Sequence, residues 1–144
     1  MKKIMFLLAA IVALASCQRT ADVPYMELDN YFFRNDAVIP ENPRIDTQES
    51  FESLFGMAAV MGKGGQPTPV DFSSEIVIAV VNPVTDVYTE LKPVSLVRDG
   101  KELVFTYEEK TGDKQGWSMQ PVLLVKVNRN DDPGKVRLKK DVID

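Results

Sequence analysis

Carboxylates are the first residues in this chain with the capacity for chemistry. Glu90, Glu102, Glu108 and Glu109 lie in or beside apolar-rich stretches, and two carboxyl groups facing one substrate can act as general acid and base. Glu108 and Glu109 are adjacent, so in a strand they point to opposite faces and cannot share a substrate. Glu90 and Glu102 can meet only across a sheet, and nothing around them marks a pocket that would raise a carboxyl pKa. The chain contains no histidine. That removes Ser–His–Asp and Cys–His catalysis and the usual zinc and copper sites. The chain therefore reads as non-enzymatic, with no catalytic residues, no cofactor and no metal.

Two other stretches imitate ligand sites. Gly56, five intervening residues and then Gly62-Lys63-Gly64 nearly spell a phosphate-binding loop. The spacing is one residue too long, Gly64 stands where a hydroxyl must hold Mg²⁺, and a helical pattern precedes it where a strand is needed. No nucleotide is expected. Asn128, Asn130, Asp131 and Asp132 cluster oxygen ligands in one turn, but the alternating spacing and closing Glu of a Ca²⁺ loop are missing. Asp-Asp-Pro-Gly is turn chemistry in its own right.

The single cysteine is Cys17. Before it stand a basic head, Met1-Lys2-Lys3, and an uncharged run from Ile4 to Leu14, the pattern of a secretory signal. The run is too short to span a bilayer, which takes roughly 20 residues. Leu14-Ala15-Ser16-Cys17 resembles the lipobox of bacterial lipoproteins. The resemblance implies cleavage before Cys17, a diacylglycerol on its thiol and an acylated new amino group; several acyl chains together give stable membrane anchoring. Gln18 differs from the Asp that retains some lipoproteins in the inner membrane, so the outer membrane of the cell envelope is expected, with the domain on its periplasmic or outer face.

Removal of residues 1–16 takes away two lysines and leaves 128 of 144 residues, shifting the formal charge from −4 to −6. An acidic chain of this size suits one domain without a footprint for nucleic acid. The expected division is a signal peptide over 1–16, a lipidated tether over 17–26 and one domain over 27–144.

The elements that must position any site read as follows. Tyr31-Phe32-Phe33 is a first short strand, and Pro40 and Pro43 exclude a helix after it. Asp46, with Glu49 three residues on, resembles a capping box. Phe51, Leu54, Phe55 and Ala58 then make one apolar helical face, running on towards Gly62. Residues 75–81, EIVIAVV, form a continuous apolar run, as in a strand covered on both faces. Residues 86–97 change parity at Lys92-Pro93, which predicts a bulge. Asp99-Gly100 is a tight turn into a strand with Leu103, Phe105 and Tyr107 on one face. A further turn is expected over 110–116. Trp117, Met119, Leu123, Val125 and Val127 share a face beyond it, and residues 136–140 make an edge strand guarded by lysines. The sum is an α+β fold, one helix packed on a mostly antiparallel β-meander.

With these elements placed, residues 72–127 resemble the C-terminal domain of the PrcB-like family of exported proteins, which is linked to stabilising a secreted protease complex. The shared features are Asp71-Phe72, an apolar strand, Thr85 to Tyr88, the Asp99-Gly100 hairpin and Pro121 to Val127. Asp86 and Val87 stand where that family has glycines before the tyrosine. The whole chain is similar to small Bacteroides-type lipoproteins of unknown function. Asn82-Pro83-Val84-Thr85-Asp86 also shares three of its five residues with the first binding loop of chagasin-type cysteine-protease inhibitors.

The aromatic residues beside turns are the candidate anchors. Tyr88 has opposite parity to Val87 and Leu91 and is expected at the surface. Trp117 has two readings, a core residue on its apolar stripe or, with Tyr88, an anchor for a partner. Asn82, Pro83, Thr85, Tyr88 and Trp117 are thus the candidate partner-binding residues, and Cys17 the lipidation site. The expected function is a lipid-anchored interaction module for an envelope protein, one that stabilises or inhibits a protease. The alternatives are a glycan- or small-ligand-binding lipoprotein and a carboxylate-dependent hydrolase.

Overall fold

The computed structural model describes residues 20–58, 61, 62 and 64–143. In chain order the strands are β1 (Thr20–Asp22), β2 (Met26–Glu27), β3 (Tyr31–Phe33), β4 (Arg44–Ile45), β5 (Phe55–Met57), β6 (Glu75–Val81), β7 (Thr85–Asp99), β8 (Glu102–Met119), β9 (Val122–Asn128) and β10 (Val136–Ile143). A seven-residue helix, α1 (Gln48–Leu54), precedes β5, and Arg129–Asp131 makes one 3₁₀ turn.

The strands form two four-stranded sheets and one two-stranded sheet. Sheet A has the order β1-β7-β8-β10, sheet B the order β2-β9-β6-β4, and β3 pairs with β5. Sheet B is the middle layer. Ile76, Ile78 and Val80 of β6 and Leu123, Val125 and Val127 of β9 face Leu96, Leu103 and Phe105 of sheet A. Val77, Ala79 and Leu124 point the other way, against Leu28, Phe33, Phe51 and Phe55. The uninterrupted apolar run of β6 thus supplies two cores, one from each face. Each large side chain buried this way is worth roughly 1.5–3 kcal/mol, and Ile76, Val77 and Ile78 are fully buried.

This architecture corrects the expected α+β meander: the fold is β-rich, built from two packed sheets, with one short α-helix among the described residues. Three local events account for the difference. First, α1 ends at Leu54. Phe55 is extended and pairs with Phe33, and its N–H caps the helix on Phe51 O. Strand pairing thus overrides the helical period that placed Phe55 and Ala58 on α1. The N-cap is Thr47, whose Oγ1 accepts from Ser50 N at 3.2 Å, and not Asp46.

Second, β8 does not break over 110–116 but runs eighteen residues to Met119. Third, β10 pairs with β8 in parallel, from Val136↔Leu103 to Ile143↔Lys110. The chain reaches it from sheet B through the 3₁₀ turn, so it cannot enter as a hairpin. The expected bulge near Pro93 is present as a register shift between Pro93 and Ser95. At the N-terminal side, Thr20–Asp22 already pair with Asp99–Val97, Val23 is buried and Met26–Glu27 join sheet B. Of the segment expected as a tether, Thr20–Asp22 and Met26 are strand residues and Val23 is in the core.

Candidate functional site

β6 and β9 belong to sheet B, and β7 and β8 to sheet A, so the β6–β7 and β8–β9 connections cross between sheets at the same end of the molecule. Four of the five candidate residues gather there. Asn82 is the fixed point. Its N–H donates to Pro121 O at 2.9 Å, its Nδ2 donates to Glu109 Oε1 at 2.5 Å, and its carbonyl accepts from Gln120 Nε2 at 3.1 Å. Glu109 also faces Lys140 Nζ at 3.7 Å. Asn82 is therefore occupied in holding the loop, and Pro83 and Val84 project from it, with Val84 63% exposed. Thr85 pairs with Met119 and accepts from Val87 N at 3.1 Å.

Trp117 is 65% exposed, which overturns its reading as a core residue. The register explains this. Thr85 pairs with Met119 and Val87 with Lys114, so Gln115–Ser118 form a four-residue excursion opposite the single residue Asp86. The parity inherited from Met119 and Leu123 is lost across that excursion. Lys114 Nζ and Asp86 Oδ2 face each other across its mouth at 3.4 Å.

Tyr88 lies on the outer part of the same ribbon and is 44% exposed. Its ring covers Gly112, where an added Cβ would meet Tyr88 Cδ1 at 3.2 Å. A side chain at 112 would require the ring to give by a few tenths of an ångström.

Two clefts open at this end. The larger, about 620 Å³, lies between β3 and the edge of β7, with Phe32, Val84, Leu91 and Met119 among its walls. The second, about 450 Å³, lies under the inner face of the ribbon beside Pro83, Val87 and Thr111. Neither Tyr88 nor Trp117 lines either cleft. A sugar platform requires an aromatic face inside a pocket with convergent polar groups, and the two aromatics expected to provide it are elsewhere.

The carboxylates are held by cations. Glu90 pairs in register with Lys110 and lies 3.4 Å from Lys92 Nζ. Glu102 accepts from Arg137 Nε at 3.0 Å, close to the Asp99-Gly100 turn and far along the ribbon from Glu90. Glu108 is opposite Lys92. Glu27 is the one carboxyl among the described residues whose pKa is raised, by burial and then by the charge of Asp29; it sits on β2 and lines neither cleft. Burial and the charge of Glu109 also raise the phenol of Tyr107.

The Asn128–Asp132 turn uses its oxygens internally. Asn128 Oδ1 accepts from Asn130 N at 2.8 Å, and Asp132 accepts from Gly134 N and from Arg44. Among the described residues no three acidic side chains gather as a metal site. Gly62 and Gly64 adopt positive φ in a loop tied down by Asn30 Nδ2, which donates to Gly64 O and Gln66 O.

The contacts of Asn82 with Glu109 and Gln120 span 27 and 38 positions, and no local pattern announces them. Cys17 and the leader expected before it lie outside the described residues. No helix among the described residues is long and apolar enough to cross a membrane. Comparisons with protein-family models, with curated proteins and with solved structures find no match to this chain.

Proposed function

We propose that this chain is a lipid-anchored protein of the cell envelope, most simply the outer membrane, that binds a protein partner without catalysis. The contact surface is the end of the β7–β8 ribbon carrying Val84, Tyr88 and Trp117. The single observation that carries the reading is the exposure of these three apolar side chains, 63%, 44% and 65%, at one end of one ribbon. Grouped exposed aromatics on a rigid base are the residues that dominate protein interfaces. The base here is rigid because Asn82 ties the loop to β8 and to Gln120. The likeness to the PrcB-like domain supports a protease complex as the partner, stabilised or inhibited. Anchoring rests on the lipobox-like residues up to Cys17.

Site-specific photo-crosslinking in the intact lipidated chain tests this. A crosslinking amino acid at Trp117 or Tyr88 should capture the same envelope protein, and one at Glu108, on the charged face of sheet A, should not. Adducts of equal yield at all three positions, or none at Trp117 and Tyr88, would reject the surface.

A further inference from the structure

β7 is fifteen residues long, but β1 covers it only from Val97 to Asp99. Val23 N then donates to Leu96 O at 2.9 Å, and Pro24 leads the chain away towards sheet B. From Ser95 back to Thr85, the outer side of β7 has no partner strand among the described residues.

The register decides which main-chain groups face outward there. Bonded and non-bonded pairs alternate along an antiparallel ladder. Leu96 presents its carbonyl to Val23, so it faces outward from β8. The one-residue bulge at Val94 shifts the alternation, and Pro93, which has no N–H to give, faces outward next. Leu91 and Thr89 follow at two-residue steps.

Val87 continues the series, but its edge is closed by the chain itself. Its N–H donates to Thr85 Oγ1 at 3.1 Å and its carbonyl accepts from Thr89 Oγ1 at 3.0 Å. Between closed Val87 and donor-free Pro93, the register turns two sets of N–H and C=O outward, at half-buried Leu91 and at Thr89, which is only 8% exposed where it lines the cleft. Sheet edges are normally blunted by bulges, proline and lysine. β7 has all three, and the protection lapses where the strand borders the 620 Å³ cleft.

We propose that Thr89–Leu91 is a docking strip for an extended polypeptide segment, which adds to sheet A in the row begun by β1. Its main chain meets the two open sets, and its apolar side chains enter the cleft between Phe32, Val84 and Met119. This rests on the protein-binding reading above and names the form in which a partner is held. Strand addition takes affinity from the main chain and specificity from pockets for alternate side chains. The cleft has the volume usual for a ligand site, and Phe32 is 46% exposed on its wall.

Amide hydrogen exchange on the mature chain tests the edge directly: Thr89 and Leu91 should exchange faster than Glu90 and Lys92, whose N–H groups turn towards β8. Protection of all four would overturn the proposal. Short random peptides displayed in a library are then panned on the same chain. Binders should alternate apolar and polar residues and should slow exchange at Thr89 and Leu91. They should weaken roughly tenfold with Leu91→Pro, which removes one outward donor.

Val84→Asp, which leaves the main chain of β7 untouched, should weaken them as well and covers the case in which Leu91→Pro fails to fold. A library without binders, binders indifferent to Val84→Asp, or a cleft that retains glycans and no peptide would overturn it. Trp117 lies outside the cleft, so crosslinking from it and exchange at Thr89 and Leu91 can fail independently, although Val84 borders both surfaces.

Discussion

Arg44 and Asp132, 88 positions apart, form a two-pronged ion pair: Arg44 Nε and Nη2 lie 3.0 and 2.6 Å from Asp132 Oδ2. The Asp132 side chain is 4% exposed and that of Arg44 17%. The pair fastens β4 to the connection that carries the chain from sheet B into sheet A. A guanidinium fork suits a carboxylate better than any other side chain does. Arg129 reinforces it by donating to Asp46 O and, at 2.7 Å, to Phe72 O.

Breaking one partner of this pair should be costly, because the other is left buried and charged. Asp132→Asn is expected to lower stability by about 3 kcal/mol at neutral pH, read by urea unfolding. Burial alone would raise the carboxyl of Asp132, but the hydrogen bond from Arg44, the N–H of Gly134 and the charges of Arg44 and Arg129 outweigh it and hold it below 3.8. A depressed carboxyl stabilises the fold above its unfolded pKa, and that contribution is lost as pH falls through the lower folded value. Wild type should therefore lose stability as acid is added below about pH 4, and Asp132→Asn should lose less over the same range. Parallel pH profiles would show that the pair does not set acid stability.

Gly56→Ala should destabilise the β3–β5 pair by about 1–2 kcal/mol. The new Cβ would run into the Phe32 ring, 2.6 Å from Cε1, across the Phe32↔Gly56 rung. In a Phe32→Ala background the same substitution should cost little, since the obstructing ring is gone. A double-mutant cycle measures this, and additive effects would mean that the close approach is not what demands glycine.

Trp117 is the only tryptophan and is largely exposed. Native fluorescence should thus resemble that of the unfolded chain in emission position and should be quenched freely by acrylamide. A blue-shifted, protected native signal that shifts on unfolding would return Trp117 to the core.

Cys17→Ser should abolish acyl labelling and leave an unprocessed precursor, because both modification and cleavage depend on the thiol. The check is metabolic labelling with a palmitate analogue alongside the size of the product. Equal labelling of mutant and wild type would remove the anchor from the account.

The residues that were legible in isolation are those whose role is set by neighbours in sequence. EIVIAVV over 75–81 could be read as a strand buried on both faces because its apolar run lacks the polar alternation of a strand with one wet face. Pro93 marked its bulge and Asp99-Gly100 its turn, with Gly100 at positive φ, because backbone chemistry is local. The missing histidine excluded whole reaction classes before any geometry was known, and the leader expected up to Cys17 rests on sequence alone.

Other features depend on segments far apart in the chain. Phe55 leaves the helical pattern because Phe33 offers a strand to pair with. Trp117 leaves the core because Asp86 on β7 is matched by four residues of β8. Asn82, expected to meet a partner, is instead spent on Glu109 and Gln120. In each case two locally acceptable conformations differ by little, and the choice between them is made by pairing and burial against a distant strand, an energy that no window of neighbouring residues contains.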